Sequence, residues 1–288
     1  EGIEGVVSAQ AGTLRQLFQL WSQAKDHLQG QNPFDRGQIT RVLRHRFSWP
    51  QRVIGVLDYG LWDIAGKALN QPIYKLLGST REKVPAYGST VHHARDEQFV
   101  EVASECQAQG FKAVKLHPYC AADDDIRMCY AVRKAVGDDL TLMLDTLAYP
   151  GPYNRQDALR VGRVLDELNF WWFEDPLSKT DLEGLAALTR ACQVVQVRMG
   201  DRVEDFHEYA EMVRKGCMDI LAGPASFGIT DLMKLAYFAE VHHMNMEPHD
   251  FGGGTASLHV LLAISNADHF EMAVPQGCFD EKLYPGVY

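Results

Sequence analysis

No stretch of this sequence approaches the ~18 consecutive apolar residues that a membrane-crossing helix needs. Nor does a basic-then-apolar leader open it; the first residues, EGIEGVV, read as the middle of a longer chain, and terminal residues are expected beyond them. Positive charge is in short supply: 28 Lys and Arg stand against 38 Asp and Glu, a net charge of −10. That balance argues against a nucleic-acid or anionic-membrane surface, since both require clustered cations. Paired cysteines are also missing. The six cysteines, at 106, 120, 129, 192, 217 and 278, form no C-x-x-C pair and read as scattered buried thiols of a reducing cytoplasm. YGSTVHH, after the first predicted strand, does not match the G-x-G-x-x-G phosphate turn, and HHMNMEPH lacks the spacing of a zinc-binding helix.

What is present is a long alternation. Residues 1–80 read as helical, with Leu14, Leu17, Phe18 and Trp21 at helix spacing, then Ile54, Leu57, Leu61 and Ile64. From about residue 82, eight short apolar runs alternate with amphipathic stretches. They are VPAYGST, AVKLHPY, TLMLDT, FWWFEDP, VVQVRMGD, MDILAGP, NMEPHD and HFEMAVP. Strands separated by helices imply a parallel sheet, and eight such units imply closure into a (β/α)8 TIM-type barrel over residues 81–288. A doubly wound open sheet is the rival.

The stretch NFWWFEDPL sharpens the expectation. Phe170–Phe173 belong in a buried wall, yet Glu174 and Asp175 follow at once, and buried carboxylates need partners. At the C-terminal rim of a barrel those partners exist, because side chains from different strands converge there. Lys115, His117, Asp145, Glu174, Asp201, His249 and Glu271 all fall at predicted strand ends. Asp145, Glu174 and Asp201 on successive strands would repel one another without a cation, and all-oxygen ligation suits Mg2+. Each acid could instead cap a helix or pair with an arginine. Lys115 and His117, two apart on one strand, share a face and supply candidate bases; His249 faces them from the seventh strand. Glu271 could donate to a developing oxyanion if protonated. Gly252–Gly254 read as a turn whose amides could reach an anion. His92 and His93 read as solvated loop residues, His242 and His243 as a helix end, and Asp123–Asp125 as a solvated helix start.

GVLDYGLWDIAGKALNQPIYKLLGSTREKVPAYGST, GFKAVKLHPY, LMLDT, WFEDPL and MEPHDFGG together resemble the mandelate racemase/muconate lactonizing branch of the enolase superfamily. The resemblance implies a modified, enolase-type barrel with an N-terminal α+β cap. Only the helical part of that cap is expected in residues 1–80, its strands missing and the C-terminal end of the barrel incomplete. It also implies one Mg2+ per subunit on Asp145, Glu174 and Asp201. Lys115 and His117 would take the K-x-K positions, His249 the opposing base, and Glu271 the eighth-strand acid that meets substrate. MDILAGPASFG has no terminal lysine, which points to acid-sugar dehydratases. In these, proton loss next to a sugar-acid carboxylate gives a metal-stabilised enolate, and loss of water leaves a 2-keto-3-deoxy acid. A racemase or epimerase, or a metal-binding barrel without turnover, is the alternative, and a homo-oligomer is expected. Three departures stand out: His117 for lysine, Asp201 for glutamate, and Pro224 where an aspartate orients the strand-seven histidine.

Overall fold

The computed structural model describes residues 2–7, 9, 11–146, 153–249 and 255–274. Gly252–Gly254, Asp250 and Cys278 lie outside the described residues. Four helices come first: α1 (Ala11–Leu28), α2 (Arg36–His45), α3 (Gln51–Leu69) and α4 (Ile73–Leu76). Eight strands then alternate with helices. They are β1 (Ala86–Ser89), β2 (Ala113–Leu116), β3 (Thr141–Asp145), β4 (Trp172–Glu174), β5 (Gln196–Met199), β6 (Ile220–Pro224), β7 (Asn245–His249) and β8 (Phe270–Ala273). All eight expected strands are there, paired in parallel in the order β7-β6-β5-β4-β3-β2-β1-β8. The result is a barrel, closed but for a seam between β7 and β8. Among the described residues no helix is long and apolar enough to cross a membrane.

Seven helices bridge the strands: α5 (Asp96–Ala108), α6 (Ala122–Val136), α7 (Arg155–Glu167), α8 (Leu182–Ala191), α9 (Phe206–Lys215), α10 (Gly228–Val241) and α11 (Thr255–Leu261). Their starts follow local chemistry: Asn154, Asp181 and Asp205 each accept a backbone N–H of the first turn. Strand parity sorts the side chains. Val114, Leu116, Leu142, Leu144, Phe173 and Val197 face the helices in one large core. Tyr87, Ala113, Met143, Trp172 and Ile220 pack inside the barrel. The aromatic run is therefore split: Trp172 fills the interior while Phe170 and Phe173 join the outer core.

At the seam, side chains replace ladder pairing. Glu247 accepts the backbone N–H of Asp268 at 2.9 Å and of His269 at 3.4 Å, while Met246 N–H donates to Asn266 O.

The N-terminal helices form their own small core around Leu43, Trp49, Val53 and Ile54. Phe18 is 77% exposed and Trp21 42%, so the predicted apolar stripe of α1 is covered only in part. Helix α3 meets the barrel at the segment following β6. Gly55 lies so close that a Cβ there would sit 2.1 Å from Ser226 O. Asp58 accepts Thr230 N–H and Oγ1–H at 2.8 and 2.6 Å, and Arg44 pairs with Asp231 at 2.6 Å.

Candidate functional site: a charged layer at the barrel mouth

One step above the apolar interior layer, period-two alternation turns ionisable side chains inward. Register places Asp145 beside Glu174, Glu174 beside Arg198, and Tyr87 beside Glu271. Lys115 Nζ lies 2.8 Å from Glu271 Oε1, 2.9 Å from Asp145 Oδ2 and 3.4 Å from Glu174 Oε2. The Arg198 guanidinium contacts Glu174 Oε1 through Nη1 and stands 3.7 Å from Asp201 Oδ1. Trp172 Nε1–H donates to Glu174 Oε2 at 3.1 Å. The rings of Tyr87 and Trp172 lie 5.6 and 5.3 Å from these two cations, so the layers are joined by cation–π contacts.

Burial alone would lower the lysine pKa, but Asp145 and Glu271 outweigh it and hold Lys115 well above the ordinary value. A lysine held this way is a cation with no lone pair to offer. Here Lys115 neutralises the charge of the acids around it. Burial would raise the Glu271 carboxyl, yet Lys115 and then His249 hold it well below the usual range.

The two imidazoles flank this layer. His117 Nε2 is 3.2 Å from Asp145 Oδ2, and His249 Nδ1 is 3.3 Å from Asp201 Oδ2 with Nε2 3.5 Å from Glu271 Oε2. Pro224 pairs with His249 in the sheet register, so the residue beside the histidine carries no carboxylate. Carboxylate contacts come instead from Asp201, just beyond β5, and from Glu271 on β8. Gly200 brings Asp201 there: its φ of 139° turns the chain, and a Cβ would meet Ala222 O at 2.6 Å.

Asp145, Glu174 and Asp201 suit a hard divalent cation in type. The carboxylates of all three are buried at one rim, and neither oxygen of Asp201 makes a hydrogen bond, although Arg198 Nη1 and His249 Nδ1 stand 3.7 and 3.3 Å away. Formally, four carboxylates here face two cations, a surplus of two negative charges. Their spacing, however, is that of acids drawn onto Lys115 and Arg198. Among the described residues no three His, Cys, Asp or Glu side chains are gathered to hold an ion.

Several site features were not anticipated. Arg198 is fully buried within the layer. Asp175, φ 45°, is buried beside the trio, and burial, then Asp201 and Asp145, push its carboxyl well above the usual range. Asp125 is not part of a solvated helix start: it is buried and accepts from Tyr119 N–H, Ala121 N–H and Tyr153 Oη–H at 2.7, 2.8 and 2.6 Å. It thereby fixes the loop after β2 that carries His117. His92 meets the His117 ring edge-on at 5.7 Å, so it borders the site. A cavity of about 270 Å3 borders Asp175, Gly200 and Arg202, but neither imidazole lines it.

Comparison with known proteins places the chain in a family. The family description "Enolase C-terminal domain-like" matches residues 98–287, and "Mandelate racemase / muconate lactonizing enzyme, N-terminal domain" matches residues 1–78. The chain is 30% identical to L-talarate/galactarate dehydratase of Salmonella typhimurium, with 98% of this chain and 73% of that protein covered. It is 30% identical to arabinonate dehydratase of Saccharolobus solfataricus over 80% of this chain, spanning 63% of that protein's length. The crystal structure of D-glucarate dehydratase from Agrobacterium tumefaciens, complexed with magnesium, superposes with a TM-score of 0.78 at 32% identity. That match covers 85% of this chain and 68% of the other.

Proposed function

The chain belongs to the mandelate racemase/muconate lactonizing enzyme family of the enolase superfamily, and from that premise we propose that it is a Mg2+-dependent acid-sugar dehydratase. The carrying observation is the pair of imidazoles, His117 just after β2 and His249 at the end of β7, at the edges of a buried carboxylate layer. Asp145, Glu174 and Asp201 would hold one Mg2+ per subunit. When bound, it supplies positive charge to the substrate carboxylate and so acidifies the neighbouring C–H.

The chain's own residues do the rest. Lys115, a cation, lies where a substrate carboxylate would gather charge as the proton leaves carbon. His249 takes that proton at one of its ring nitrogens, with Asp201 and Glu271 limiting how the ring turns. His117 gives a proton to the departing hydroxyl, so that it leaves as water. Glu271, an acceptor, holds Lys115 in place and contacts His249 Nε2. We place the enzyme in the cytoplasm, as a homo-oligomer acting on a small sugar-acid carboxylate.

The test is a panel of aldonate and aldarate diastereomers in deuterated water with Mg2+. Exchange of the α-proton together with a semicarbazide-reactive 2-keto product is expected for at least one. Absence of both across the panel overturns the reading. Racemisation or epimerisation is the second reading, favoured by the two imidazoles coming from separate βα units, and it gives exchange without keto product. A barrel that binds metal without turnover gives neither.

A further inference from the structure

Arg198 stands where the proposed metal would be gripped. It is fully buried, opposes Glu174 in the sheet register, contacts that carboxylate through Nη1 and lies 3.7 Å from Asp201 Oδ1. Its other outer nitrogen, Nη2, donates to Glu247 O at 3.1 Å, and Nε has no hydrogen-bond partner. Two of the three candidate ligands therefore share a cation already. Lysine can shed its proton when a divalent ion arrives; arginine, with a pKa above ~12, cannot.

We propose that Arg198 is a resident counter-cation of the candidate metal site, which a divalent ion must displace from Glu174 before the acid trio can close on it. The inference rests on the metal reading above and deepens it. Without metal, Arg198 holds together carboxylates that would otherwise repel. A fixed positive charge 3.7 Å from Asp201 Oδ1 would oppose loading of a doubly charged ion on these acids, strongly so where water is excluded. The Glu247 carbonyl gives the guanidinium a second anchor, so it can swing off Glu174 without losing every partner. Mg2+ binding thereby becomes weaker than the trio alone would make it, and coupled to the movement of one side chain.

Calorimetric titration of the full chain with Mn2+ and Mg2+ tests this, with circular dichroism to verify folding. Arg198→Met should bind Mn2+ at least tenfold more tightly than wild type, with Arg198→Lys between the two. Equal or weaker binding by a folded Arg198→Met protein overturns the role of Arg198 and leaves the metal reading standing. Binding by neither protein overturns the metal reading, and this inference with it. Should Arg198→Met not fold, a crystal of the wild-type protein soaked in Mn2+ decides. Arg198 Nη1 displaced from Glu174 supports the proposal, and an ion seated on the trio with that contact intact overturns it.

Discussion

Glu247 offers the sharpest test of the barrel's closure. Its carboxylate spans the seam, accepting from Asp268 N–H at 2.9 Å and His269 N–H at 3.4 Å, with the side chain almost fully buried. Burial pushes its carboxyl up from 4.5 to about 7. Ionising it inside the fold therefore costs about 3 kcal/mol more than in the unfolded chain. Because the folded value lies above the unfolded one, the native state binds the extra proton between these values. Stability from this group is present below pH 4.5 and is lost as pH rises through 7. Glu247→Gln removes the titration, keeps a carbonyl for Asp268 N–H, and loses the longer bond to His269, worth about 1 kcal/mol. The variant should match wild type near pH 5 and exceed it by about 2 kcal/mol at pH 8. Urea denaturation of both proteins from pH 5 to pH 8 measures the difference directly. A difference that stays constant over that range refutes the reasoning, because only a buried, titrating carboxyl makes it change.

Two further substitutions probe the cap and the site. Gly55→Ala drives a Cβ to within 2.1 Å of Ser226 O and 2.8 Å of Gly228 N, both backbone atoms. Helix α3 must then lift off the barrel, with about 3 kcal/mol lost, and unchanged thermal stability would show that this contact is not tight. Asp145→Asn should abolish the rise in melting temperature that Mg2+ gives wild type and lower turnover at least about 100-fold. Full turnover by this variant would remove Asp145 from the metal site.

The barrel was legible because its cause is periodic. Each of the eight runs begins and ends within a few residues of the expected place, since apolar runs bounded by breakers leave a strand few alternatives. The exposure of Phe18 and Trp21 was not legible, because helix spacing defines a stripe without saying what covers it. Seam closure by Glu247 was not legible either. It depends on which strands end up adjacent after seven crossovers, and a glutamate in NMEPHD looks no different from a solvent-facing one.

The site shows where a motif reading stops and strand parity has to take over. VQVRM alternates apolar and polar residues, which already points Arg198 to the inside while Val197 and Met199 join the outer core. The same parity would have placed Gly200 inward and Asp201 outward, away from the other two acids. The left-handed turn at Gly200 reverses that, and a Cβ there would collide with Ala222 O and the Tyr209 ring. The glycine is therefore what makes Asp201 available, both to a cation and to His249, once Pro224 has taken the neighbouring position. Under the proposed reading one carboxylate would serve a metal and an imidazole together. Neither of its oxygens makes a hydrogen bond, and displacement of Arg198 is the step that would free the side away from His249.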